Sequence, residues 1–243
     1  MSLCRASIGG YSLRMTYTIY IGDRTFSSWS LRGWLMLEKF GLPYQTRMVG
    51  LYAGTMAAEL AHIAPARTVP AMTTPEGFVL TDSLAMAETL VERHPDMALY
   101  PHDPAARALA RSICAEMHSG FGALRGQCPN MIAHVWDGFT PSDAVLADLA
   151  RIEELWALAR ARHGTDSPWL FGDYSLADVF YAPVAMRITT YGLPVSAAAQ
   201  TYVDAHLRDP AFVDWRKDAM TEIHDPWPYP MDLPCRDWPV NHS

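Results

Sequence analysis

Long apolar runs are missing from this 243-residue sequence: polar or charged side chains interrupt every candidate before the roughly 18–20 apolar residues that a spanning helix needs. The chain is therefore expected to be soluble. Cysteine is sparse too. Cys4, Cys114, Cys128 and Cys235 are scattered, with no C-x-x-C pair and no histidines at zinc-ligand spacing, which argues against a metal site and suggests reduced thiols in a cytoplasmic protein. Positive charge is in deficit: 19 Lys and Arg stand against 26 Asp and Glu, a net charge of −7 with pI about 5.7. That balance disfavours a general grip on nucleic acid or anionic lipid and leaves small molecules or protein partners. There is no P-loop, no G-x-S-x-G nucleophile turn of a serine hydrolase and no internal repeat, and the glycines of "GFGALRG" fall inside a helical pattern rather than a dinucleotide turn. The start also lacks a secretory pattern, so residues 1–14 read as a disordered extension or a mis-assigned start before Met15.

What is present is a 50% hydrophobic chain long enough to bury a real core. "YTIYI" from Tyr17 is a β-branched and aromatic strand stopped at Gly22-Asp23. After it, Leu31, Trp34 and Leu35 keep helical spacing until "FGLP" closes the segment. A strand at Tyr44–Val49, a short helix ended by Pro65, a strand pair turned at Pro75-Glu76-Gly77 and a helix from Ser83 to about His94 complete a βαβαββα unit. Three prolines in "HPDMALYPHDP" mark a boundary, beyond which helices are expected over 104–125, 142–163, 175–191, 196–206 and 210–222. The division is then 1–14 extension, 15–96 α/β domain, 97–104 linker and 105–243 all-helical domain. Its tail, from about residue 224, carries five prolines and reads as extended, with tryptophans that either pack on the domain or stay loose.

Three motifs refine this organisation. "FSSWSLRGW" (Phe26 to Trp34) sets three serines at the join of strand and helix, "TVP" precedes the third strand, and "DSLAMAETL" opens a helix on Asp82-Ser83. Their order and spacing resemble the cytosolic glutathione transferases, in particular the bacterial zeta-like, serine-type subgroup, and the resemblance covers roughly residues 17–222. It implies a thioredoxin-like glutathione-binding domain followed by an all-α domain, glutathione as co-substrate, and a cytoplasmic homodimer serving detoxification, with no nucleic-acid or membrane partner. Ser27 stands at the position of the catalytic serine, Ser30 at the helix cap, and Ser28 where it could donate a second hydrogen bond. The resemblance further implies a cis Val69-Pro70 whose backbone pairs with the cysteinyl unit. Asp82 and Ser83 would hold the γ-glutamyl group. Arg67 and Thr68 stand where relatives often carry Lys or Gln before Val-Pro, so the partner of the glycine carboxylate stays open between them.

A free thiol of pKa near 8.5 is only a few per cent ionised at pH 7, and lowering that by about two units requires roughly 2.7 kcal/mol. A hydroxyl bonded to a charged acceptor contributes roughly 1.5–3 kcal/mol and a helix N-terminus about 0.3–1, so a serine ahead of the helix can supply it without losing its own proton. Within the expected helix 104–125, Leu109, Ile113, Met117 and Leu124 read as core, while Arg111, His118 and Arg125 recur every seven residues. Two readings of that stripe stay open: a solvated face, or a basic wall, carried by His118 and Arg125, of a pocket for an acidic electrophile. "YSLADV" reads as a capping box of Ser175 and Asp178 that serves folding. The function implied is a glutathione transferase acting on a small electrophile. The alternatives are a zeta-like isomerase of the maleylacetoacetate isomerase type, a class with cysteine where Trp29 stands, and a non-catalytic binding module on the same fold.

Overall fold

The computed structural model describes residues 16–221, 225–229 and 231–239; the expected extension over 1–14 lies outside them. Strands β1 (Tyr17–Ile21), β2 (Tyr44–Met48), β3 (Ala71–Thr73) and β4 (Val79–Leu80) form one sheet in the order β2-β1-β3-β4. β1 runs parallel to β2 and antiparallel to β3, which is antiparallel to β4. Parallel neighbours need a crossover, and α1 (Ser28–Glu38) supplies it. The short α2 (Met56–Leu60) and its 3-10 extension (Ala61–Ile63) lie against the other sheet face, in a cluster with Val49 and Val69. α3 (Ser83–Arg93) closes the α/β half.

The helical half consists of α4 (Pro104–Ser119), α5 (Gly122–Gln127), α6 (Asp143–His163), α7 (Leu176–Tyr191), α8 (Ala197–Arg208) and α9 (Pro210–Thr221). α7 is buried on every side except at Thr189, as expected of a helix apolar all round at the centre of a bundle. α1 packs between β1 and α7, so Ser28 to Leu37 are buried apart from half-exposed Trp29. Gly33 permits this closeness: a Cβ there would meet the Pro70 ring at 2.9 Å and Ile19 at 3.2 Å.

Several expectations are corrected. The helix expected over 104–125 is two helices, because Gly120 leaves the helical path and the buried Phe121 turns left-handed at φ 56°. Gly120 is thus a terminus rather than a helix-interior glycine. Ser30 is not the cap of α1: Ser27 is, its Oγ accepting from the Ser30 N–H. The tail is extended as expected: β6 (Cys235–Asp237) pairs antiparallel with β5 (His134–Trp136), and Trp238 packs on the domain. Glu222, the expected end of the last helix, lies outside the described residues.

Candidate functional site

The turn after β1 aims the serines. Asp23 accepts from the Phe26 and Ser27 N–H groups through its carbonyl and from the Thr25 N–H through its carboxylate. Ser27 then closes on Ser30: it accepts from the Ser30 N–H at 3.2 Å and donates to Ser30 Oγ at 2.7 Å, while that oxygen also takes the Gly22 N–H. Ser28 looks elsewhere. Its Oγ accepts from Arg187 Nη2 at 3.2 Å.

Both serines face a cleft of about 420 Å³, whose other walls include Phe26, Tyr52, Arg125, Asn130, Arg187 and Tyr229. A second compartment of about 360 Å³ lies beside it, lined by Thr68, Val69, Pro70, Asp82, Ser83 and His118. Trp29, Leu51 and Val69 line both, so the two form one groove divided by the indole. Val69-Pro70 is cis, and among the described residues the Val69 N–H and C=O have no hydrogen-bond partner. At the far end, Asp82 caps α3 by accepting from the Leu84 and Ala85 N–H groups, and its other oxygen sits 3.1 Å from His118 Nε2.

The groove is cationic and short of partners. Arg32, fully buried, stacks over Trp29 and Phe180, and Arg125 lies 5.1 Å from the Trp29 ring centre. Burial first, then the like charges of Arg187 and Arg125, push the Arg32 pKa down to about 9; burial pushes Arg187 down to about 10. Among the described residues no carboxylate pairs with Arg32, Arg125 or Arg187. Three buried polar atoms of groove-lining residues also lack partners among the described residues, Ser83 Oγ, His118 Nδ1 and Asn130 Oδ1, as does Arg32 Nη1 behind Trp29. Buried polar groups are normally paired, so a concentration of orphans along one groove is what a polar anionic ligand would satisfy.

Of the residues singled out in the sequence, Ser27, Ser28 and Arg125 share the larger compartment, and Thr68, Val69, Pro70, Asp82 and Ser83 the smaller. His118 faces Asp82 in the smaller compartment rather than Arg125, because the break at Gly120-Phe121 removes the common stripe. Arg111 points away to pair with Glu88, and Arg67 is exposed outside both compartments. Sequence reasoning missed Arg32 and Arg187, although each is a lone charge in an apolar helical run and could have been noticed. It also missed the tail. Asp225 accepts from the Leu51, Tyr52 and Ala53 N–H groups, and Tyr229 reaches the cleft beside Tyr52. No local signal points to that return.

Known proteins share this fold and part of this sequence. The family model described as glutathione S-transferase, N-terminal domain, matches residues 26–93. A maleylacetoacetate isomerase of Pseudomonas aeruginosa is 31% identical over 192 residues, 74% of this chain and 84% of the relative. The chain belongs to the glutathione transferase family. A probable maleylacetoacetate isomerase of Caenorhabditis elegans is 29% identical over 200 residues, 80% of this family member and 90% of the relative. Among solved structures, a glutathione transferase homolog from Burkholderia with bound glutathione superposes with TM-score 0.62 at 26% identity, covering 85% of this chain and 98% of that one. The omega 2S transferase of Trametes versicolor, at TM-score 0.65 and 20% identity over 85% and 95% of the two chains, shares the fold.

Proposed function

We propose that this transferase-family chain binds glutathione along the groove and activates its thiol for attack on a small electrophile bearing a carboxylate. One observation carries the reading: a compartment with an orphaned Ser83 hydroxyl and unpaired Val69 backbone groups opens past Trp29 onto two serines and uncompensated arginines. The residues fit the substrate. The N-terminus of α3 and Ser83 Oγ suit the α-carboxylate of the γ-glutamyl end, and Asp82 suits its ammonium. Val69 N–H and C=O match the cysteinyl amide, which directs the sulfur toward the N-terminus of α1. Thr68, and the exposed Arg67 beyond it, are the candidates nearest the glycine carboxylate. The thiolate then displaces or adds at an electrophile in the larger compartment, where Arg125 supplies the counter-charge for its acid group.

A second reading, the zeta-like isomerase, is favoured by the maleylacetoacetate isomerases among the relatives. It uses the same groove, with the thiolate adding to a maleyl double bond and leaving after rotation. Calorimetry with glutathione, followed by maleyl compounds and halogenated acids under a thiol assay, tests both. Loss of free thiol supports the transferase, isomerisation without thiol loss supports the isomerase, and binding with neither supports a non-catalytic module. The acting unit in this reading is a cytoplasmic homodimer in a detoxifying role. Phe78, 65% exposed on the β3–β4 hairpin, is a candidate apolar contact, and sedimentation of the parent and Phe78→Ser tests it.

A further inference from the structure

We propose that Ser28, backed by Arg187, and not Ser27, is the group that holds the ionised thiol. The inference rests on the reading that glutathione binds in this groove. Ser27 has its hydroxyl committed to the α1 cap: it accepts from the Ser30 N–H and donates to Ser30 Oγ. Turning that proton toward a ligand would break the bond that ties the cap to the turn after β1. Ser28 is differently placed. Its oxygen already accepts from Arg187, and its own proton has no acceptor among the described residues.

Arg187 makes this asymmetry matter. From α7 its Nε donates to the Cys128 carbonyl at 2.8 Å, its Nη1 to the Pro183 carbonyl at 3.2 Å and its Nη2 to Ser28. All three acceptors are neutral oxygens, and the side chain is buried at the cleft floor. A buried cation without a counter-ion is strongly unfavourable, and a thiolate at Ser28 provides the missing charge. Arg187 stays protonated at neutral pH despite its burial, because its pKa remains near 10. Arg32 and Arg125 add potential of the same sign.

On binding, the S–H bond breaks, the proton leaves to solvent through the open cleft, and the electron pair stays on sulfur. The sulfur accepts the Ser28 O–H while Ser28 continues to accept the Arg187 N–H, so the hydroxyl is polarised from behind. Arg187 touches no reacting atom. It is a positioning residue.

The experiment is a pH titration of the thiolate absorbance of bound glutathione, run with the pH profile of kcat/KM. Ser28→Ala and Arg187→Met are each expected to raise the thiol pKa by about one unit or more, slowing the reaction about threefold or more near pH 7 with recovery in alkali. Arg187→Lys should restore part of the shift. Ser27→Ala should lower the melting temperature and leave the titration in place. If Arg187→Met does not fold, Ser28→Ala decides, since it deletes one oxygen. A shift in Ser27→Ala without one in Ser28→Ala overturns the proposal. Failure of the parent to bind glutathione overturns the binding reading with it, whereas intact binding and an unmoved Ser28→Ala titration overturns this assignment alone.

Discussion

The N-termini of α1 and α7 both open on a buried serine cap, yet one carries its own anion and the other does not. At α7, Asp178 accepts from the Leu170 N–H, the Ser175 N–H and hydroxyl, and the Tyr202 hydroxyl. Burial lifts its pKa to about 6, with those donors opposing the rise. At α1 the first turn holds no acidic residue, and three guanidiniums gather around Trp29 and Ser28. The α7 end is complete as folded. In the proposed function the α1 end is completed by an anion from outside, which is how a folding motif and a binding motif built from similar residues would diverge.

The sharpest way to break that contrast is Asp178→Ala, which strands four donors in the core. It should cost about 3 kcal/mol or more in a urea unfolding series, while protein that still folds binds glutathione with parental affinity. Ser175→Ala, which removes one of the donors, should cost nearer 1 kcal/mol.

Next in size is a pH effect beside the same box. His206 is enclosed by Trp169, Tyr174 and Tyr202, and burial, then Lys39, press its pKa down to about 3. Its contribution is whole above about pH 6.5 and is lost as pH falls toward 3, so at pH 5 the parent should have lost about 2 kcal/mol through this residue. Asp178 acts with the opposite sign, its burial weighing most once pH rises through about 6. A His206→Leu variant separates them: the difference in unfolding free energy between variant and parent should shrink in acid by that amount, and a constant difference would rule out His206 as the source.

At the groove, smaller effects are expected on binding and almost none on folding. Ser83 Oγ has no partner among the described residues, so Ser83→Ala should leave the melting temperature within a degree or two yet weaken glutathione about tenfold by calorimetry, roughly 1.4 kcal/mol. A stability loss with unchanged affinity would reassign Ser83 to the fold. The mildest expectation concerns Arg125, whose Nη1 donates to the His118 and Gly120 carbonyls. Arg125→Ala should raise KM several-fold for carboxylate-bearing electrophiles and leave neutral ones nearly alone. Equal effects on the two classes would make its role structural.

Much of the framework is visible in local residue patterns. The β-branched and aromatic run of 17–21 with its turn pair at 22–23, the Val-Pro pair, and the Asp-Ser and Ser-x-x-Asp helix openings all act within one turn of chain, where propensity and capping dominate. The caps at Asp82 and Ser175 are of this kind. Where two caps compete, as at Ser27 and Ser30, the pattern misleads, because either serine can start a helix and only the turn set by Asp23 selects Ser27. The seven-residue spacing of His118 and Arg125 presumes an unbroken helix, which a buried left-handed Phe121 interrupts, yet both side chains still reach the groove at Trp29.

By itself, then, the sequence determined the βαβαββα order, the helical half that follows and the polar motifs at 27–30, 68–70 and 82–83, since each depends on neighbours a few residues away. Only the tertiary structure decided what completes the groove. Arg187 reaches Ser28 across 159 positions, and the Asp225 carboxylate holds the 51–53 loop from 172 to 174 positions away. Arg32 is visible in the sequence only as a lone charge in an apolar helical run; α7 covers it and removes water from its guanidinium. Charge becomes chemistry at this site through burial, and burial belongs to the packing of distant elements rather than to any one stretch of chain.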